Sequence, residues 1–288
     1  ETTPGTAEAL TATEGAWNVF NPRIQQRLSM AQREGQGGRV WLPHVPDQYI
    51  GEIVFTMELY GGAVQPTWGT TFLTSCGLGF ATTKYLIDKR PPDVVGSTQK
   101  TITIGMYENG VYKYLYGAMG NARFTFEAGK RALVEFRYTG IWAAPTDVAQ
   151  IAPTYPTIAP LRLQGATFTI GTWSPQVSRI ELDLNNTVEM RENANAATGL
   201  AYAVIADSHP NGRLDAEADL IATKNVFGDW LAGTQAAYSW IAANGADDVT
   251  ISGTKLRFMN PQEADRHGLI IHDVAFELDA DDLQMIFT

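Results

Sequence analysis

Residues 101–140, TITIGMYENGVYKYLYGAMGNARFTFEAGKRALVEFRYTG, decide the fold class of this 288-residue chain. Ile102 and Ile104 alternate with threonine, and Tyr112, Tyr114 and Tyr116 share one face. Phe124 and Phe126 share another, as do Val134, Phe136 and Tyr138. A period of two places such residues on one side of a pleated strand. Asn109-Gly110 separates two of these runs, and a tight hairpin turn needs positive φ at that point. Gly117, Gly120 and Gly129 punctuate the remainder. The stretch reads as antiparallel strands, with Gly110 and Gly117 as structural turn positions.

A similar arrangement returns at 239–278, SWIAANGADDVTISGTKLRFMNPQEADRHGLIIHDVAFEL. Asn244-Gly245 answers Asn109-Gly110, Gly253 answers Gly117, Arg257-Phe258 answers Arg123-Phe124, and Leu269-Ile270 falls against Leu133-Val134. Gly245 and Gly253 are therefore the turn positions of this copy. Upstream, 52–59 (EIVFTMEL) corresponds to 213–220 (RLDAEADL), and each precedes a short helical segment, at 67–76 and 225–233. Recurrence in the same order suggests duplication of a small domain. Halving 288 leaves 144 residues per copy, a plausible domain size. Residues 141–160 hold four prolines and end in PTYPTIAP, an extended connector. The expected organisation is a first unit at 1–150, a connector at 151–162 and a second unit at 163–288, each mainly β with one flanking helix.

The composition excludes several function classes. Hydrophobic residues make up 44 %, yet no apolar run approaches the ~18 residues of a membrane span. No secretory leader is visible in a chain that opens at Glu1. A net charge of −10 argues against recognition by gripping phosphates, which needs clustered Lys and Arg. Cys76 is the only cysteine, so no intrachain disulfide forms, and its apolar surroundings suggest a buried, inert thiol.

Enzyme motifs are missing: there is no G-x-S-x-G elbow, P-loop or dinucleotide fingerprint. His267 and His272 are five apart, on opposite faces of a strand, which is poor for chelation. The acidic groups Asp215, Glu217, Asp219 and Asp279–Asp282 read as solvated charge rather than as a glycosidase pair or a calcium loop. No catalytic, cofactor or metal site is expected. The tyrosine row at 112–116 leaves open a carbohydrate-binding β-sandwich module.

Two polar excursions stand out. Residues 21–38 (NPRIQQRLSMAQREGQGG) carry Arg23, Arg27 and Arg33, and 185–195 carry Arg191. Long polar loops in compact domains are functional or disordered, and these read either as reaching neighbouring copies or as mobile surface loops.

The sequence also resembles the major tail tube proteins of long-tailed (siphovirus-like) bacteriophages. The resemblance is carried by GVYKYLYGAMGNARFTFEAGK at 110–130, FRYTGIW at 136–142 and APTD at 144–147, with IELDLNNTVEMR at 180–191 and GRLDAEADL at 212–220. It implies β-sandwich or barrel units with a flanking helix, forming rings that stack into a tube in the virion tail. That tube conducts double-stranded DNA to the host without binding it specifically and meets other tail proteins. Two units per chain lead to a homotrimeric ring with pseudo-sixfold symmetry, a homohexamer being the alternative. Arg23, Arg27, Arg33 and Arg191 are the expected ring-stacking residues. The acidic strand face of Asp215, Glu217 and Asp219, or its counterpart with Glu52 and Glu58, is expected to line the lumen and repel the duplex.

Overall fold

The computed structural model describes residues 1–12, 17–33, 42–165 and 167–288, with backbone alone at 28, 29 and 32. Residues 34–38, the end of the first polar excursion, lie outside the described residues. The earlier part of the chain forms β1 (Val19–Arg33), β2 (Leu42–Glu58), a π-helical turn at Gly69–Leu73, β3 (Leu78–Ala81) and β4 (Lys84–Ile87). It continues with β5 (Ile102–Glu108), β6 (Val111–Glu127), β7 (Leu133–Trp142) and β8 (Thr146–Asp147). The later part forms β9 (Phe168–Ile170), β10 (Val177–Asp183), β11 (Asn186–Glu192), β12 (Leu200–Ser208) and β13 (Asn211–Glu217). After the helix α1 (Val226–Ala232) come β14 (Gln235–Ala243), β15 (Asp248–Arg266), β16 (Leu269–Leu278) and β17 (Gln284–Phe287). The chain is mainly β, as the alternation of its residues predicts.

Local chemistry explains the turns. Asn109 and Gly110 have φ of 50° and 85°, the paired positive values of a tight hairpin. At the other hairpin Gly245 has φ 93°, while Asn244 Oδ1 accepts the amides of Ala246 and Asp247 at 3.0 and 2.8 Å, an Asx turn. Helix α1 starts where Asn225 Oδ1 accepts the Gly228 amide at 2.8 Å and stops at Gly233, φ 63°. Gly117 and Gly253 are not turns, contrary to the expectation. Gly117 (φ 57°) lies inside β6 at a register shift between Tyr116 and Met119, where a Cβ would come within 3.0 Å of Tyr202. Gly253 lies inside β15, against the Tyr238 ring and Asp282. Bulges and close approach are the other uses of a strand glycine, and spacing alone does not separate them from turns.

One antiparallel sheet runs β1-β2-β7-β6-β10-β13-β16-β15 and continues through β17 to β4 and β3. Its parts join at β6 and β10, where Ile180 faces Phe126 and Leu182 faces Phe124, all buried. Ile53, Phe55 and Met57 of β2 and Val134, Phe136 and Tyr138 of β7 point to one side. Phe72 of the π-helical turn packs 5.3 Å from Phe55 and 5.2 Å from Phe136. Tyr138 Oη donates to the Phe72 carbonyl at 3.0 Å and lies 3.4 Å from Cys76 Sγ. Burial pushes the Cys76 thiol up to about 12, which keeps it protonated and unreactive.

Most of the buried apolar side chains among the described residues form one cluster, from Ile53 to Phe287, that draws on both sides of the connector. Residues 148–161 carry neither strand nor helix. Residues 161–163 are tied to the Leu59 carbonyl and the Ala132 and Gly129 amides on one side and to Ala243 on the other. The C-terminal strand β17 stays within its own chain, between β15 and β4, with Phe287 5.5 Å from Trp68. No helix among the described residues is long and apolar enough to cross a membrane.

Candidate functional site

Alternation along the long sheet leaves its second face open, and this face is charged. Glu52 and Glu58 of β2, Glu135 and Arg137 of β7, Arg123 and Glu127 of β6, and Arg179 and Glu181 of β10 project from it. Arg213, Asp215 and Glu217 of β13 and Asp273 of β16 continue the row. The cations among these are all arginines, and carboxylates hold Arg123, Arg179 and Arg213. Arg123 Nη2 donates to Glu181 at 2.6 Å, and Arg179 pairs with the same carboxylate. Arg27 meets Glu52 at 2.6 Å, Arg131 meets Glu58 at 2.5 Å, and Arg213 pairs with Asp273. The hydrogen bonds to Glu181 and Asp273 push the Arg123 and Arg213 guanidiniums above their ordinary values. Such pairs, forked at Arg213–Asp273, occupy donors that would otherwise reach a phosphate.

The expected lumen residues prove to have structural work. Asp215 accepts the amides of Ser178 and Arg179 at 2.9 and 2.6 Å, the Ser178 hydroxyl, and Arg266 Nη1 at 3.0 Å. Glu217 accepts from the same guanidinium at 2.9 Å. Asp219 lies beyond the end of β13 and accepts the Trp173 indole N–H at 2.7 Å. Asp215→Ala is expected to lower stability by about 2–3 kcal/mol, because it strands several donors at once. A urea titration checks this, and an unshifted midpoint would show that the bonds contribute nothing.

The second feature is an arm. β2 pairs with β7 only from Ile50 onward, yet β1 and β2 continue together through Leu28↔Tyr49, Met30↔Pro46, Ala31↔Val45 and Arg33↔Leu42. Eight residues of β2 (42–49) thus extend past the sheet, about 25 Å of two-stranded ribbon at the usual strand rise. Met30, Leu42, Val45 and Tyr49 are exposed on it. The other excursion behaves differently. β11 and β12 form a separate hairpin folded onto the sheet, with Asn186 Nδ2 bonded to the Cys76 and Gly120 carbonyls at 2.7 and 3.0 Å.

The four expected stacking arginines are therefore not gathered. Arg23 and Arg27 lie on the open face beside β2, and Arg33 stands at the far end of the arm. Arg191 is a latch, bonded to Asp93 at 2.6 Å and to the Tyr202 hydroxyl. Those partners hold its guanidinium above the ordinary value, the Asp93 hydrogen bond acting most strongly. The arm's exposed apolar residues are the signal missed in the sequence: Leu42, Val45 and Tyr49 fall three and four positions apart in LPHVPDQY, without the period of two that marks a strand face.

The tyrosine row offers no free platform. Tyr107, Tyr112 and Tyr114 stack on one another at 4.8 and 4.9 Å, so neighbours occupy the faces a sugar would need. Among the described residues no group of three or more His, Cys, Asp or Glu side chains is placed to hold a metal.

A long sheet with a largely ion-paired face and a projecting ribbon suits assembly. The family model described as phage tail tube protein matches residues 1–278. The chain belongs to the phage tail tube protein family. No curated protein matches it. As a tail tube protein it is a structural component of the virion tail, self-assembling into a stacked tube alongside other tail proteins. Nothing supports a carbohydrate-binding role for this tube protein.

Proposed function

We propose that three copies close one ring of a DNA-conducting tail tube of the siphovirus-like type, each chain supplying two tube units. The supporting observation is the strand order. β1-β2-β7-β6 in the first half and β10-β13-β16-β15 in the second follow the same path, with the helical segment between the second strand and the last two in each. Aligning 52–59 with 213–220 makes Gly51 the counterpart of Gly212, and the registers carry the correspondence onward. Thr56↔Glu135 matches Glu217↔Ile271, so Val134 corresponds to Ile270. On this alignment Phe124, across from Val134, corresponds to Asp265, across from Ile270, rather than to Phe258.

The bore follows from arithmetic. Three chains of eight strands give 3 × 8 = 24, and strands about 4.8 Å apart make a circle about 37 Å across before side chains. That admits a hydrated duplex. Six such chains would double the bore, far beyond what a duplex needs, so the trimer is favoured over the hexamer. The open sheet face lines the channel in this reading, and carboxylates already engage most of its arginines, Arg27, Arg123, Arg131, Arg179 and Arg213 among them. DNA then slides past a wall with few free cations to hold it, since each one would add a phosphate contact. Ring averages from electron microscopy of the purified protein test this: three chains per ring are expected, and six would overturn the trimer.

A further inference from the structure

Among the backbone edges of the long sheet that lack a strand partner in the described residues, two lie at the ends of the eight-strand run from β1 to β15. One is the outer edge of β1, and the other is β15 beyond Arg257, where only β16 pairs with it. The second edge adjoins an apolar surface. Leu220, Ile221 and Ile270 are 77 %, 76 % and 61 % exposed, and the Ala218 amide bonds to the Ile270 carbonyl at 3.0 Å. Patches of this kind on a soluble chain mark contact surfaces.

The first half shows what covers such a surface. By the alignment above, Leu59, Tyr60 and Val134 are the counterparts of Leu220, Ile221 and Ile270, and they are 0 %, 7 % and 0 % exposed. Two things adjoin that region and have no equivalent in the second half. Residues 161–163, which lead toward β10, are bonded to Leu59, Ala132 and Gly129. β10 itself then pairs along β6, Arg179–Asp183 against Glu127–Arg123. The second half ends its sheet at the same point with no successor strand.

We propose that a second copy of this chain is that successor: its β1 pairs along β15 near residues 262–266, and that copy covers Leu220, Ile221 and Ile270. This rests on the ring reading above and adds the joint and its register. Ile24, across from Ile53, corresponds to Ile180, across from Leu214, so Gln26 corresponds to Leu182. Leu182 faces Phe124 within the chain, and Phe124 corresponds to Asp265. Gln26 of one copy therefore faces Asp265 of the next. An open, exposed strand edge is an aggregation hazard unless it is paired, and repeating one heterologous joint around a rotation that closes gives a ring rather than a fibre.

The test introduces Gln26→Cys and Asp265→Cys together in the full chain, with Cys76 buried as the silent background. Mild oxidation of assembled material should give covalent dimers and trimers on a non-reducing gel, while either single variant stays monomeric. In parallel, Ile221→Asp or Ile270→Asp should leave a folded monomer by circular dichroism and lower the assembled fraction at least tenfold. Tubes that form without the cross-link, or that tolerate both aspartates, overturn the joint and leave the tube reading standing. Cross-linked oligomers that never stack support the joint and defeat the tube reading. A wild-type chain that stays monomeric under every assembly condition overturns both.

Discussion

Replacing residues 29–48 by Asn-Gly is expected to abolish tubes while leaving rings intact. The replacement keeps Leu28 opposite Tyr49 and closes the shortened ribbon with a two-residue turn that suits it. It removes the part of the arm that lies beyond the sheet, together with exposed Met30, Leu42 and Val45. A lone two-stranded ribbon is marginal in water, so one that projects with apolar residues exposed needs something to rest on. In a stacked tube, the neighbouring ring supplies it. Sedimentation and negative-stain images check the outcome: single rings are expected, and long tubes would remove the arm from the stacking contact. Excising 23–33 instead would be a poorer test, because Arg23–Leu28 pair with β2 alongside the sheet. Their loss takes away the edge strand as well as the arm.

Glu181→Gln is expected to turn an indifferent channel into one that holds DNA. Glu181 engages both Arg123 and Arg179, so one substitution frees Arg123 and leaves Arg179 only a 4.0 Å contact with Glu127, loosening 3 × 2 = 6 guanidiniums per proposed ring. The glutamine keeps the shape and can still accept one hydrogen bond, so rings and tubes should form normally. Each new phosphate contact steepens the salt dependence of binding by about 0.9 in log–log slope. Retention of a labelled duplex by assembled tubes should therefore appear at low salt and vanish as salt rises. Ejection from particles carrying the variant should slow. Unchanged retention would place this face away from the DNA. The variant is cleaner than introducing lysines at Asp215, Glu217 and Asp219, two of which hold neighbouring elements in place through Ser178, Arg179 and Trp173.

Local features were legible in the chain because their causes are local. The paired positive φ at Asn109-Gly110, the Asn225 cap and the alternation in β6 and β7 each depend on residues within a few positions of one another. The charged face was partly legible. Alternation predicted that Arg213, Asp215 and Glu217 share a side, and the structure agrees. It did not predict that the side is balanced, because Arg123 meets Glu181 from 58 positions away and Arg213 meets Asp273 from 60. Composition reported a net charge of −10, and pairing across strands decided where that charge is neutralised.

By itself the sequence determined the β class, the turns at Asn109-Gly110 and Asn244-Gly245 and the two helical segments, since period and turn chemistry are properties of neighbours along the chain. Tertiary structure alone decided that β10 joins β6, that β17 returns to β4, that one polar excursion projects while the other folds back, and that Gly117 serves a bulge. The physical reason is that backbone edges carry no address. Any strand can complete any edge, and the choice is made by side chains brought together from distant positions, such as Ile180 on Phe126 and Phe287 on Trp68.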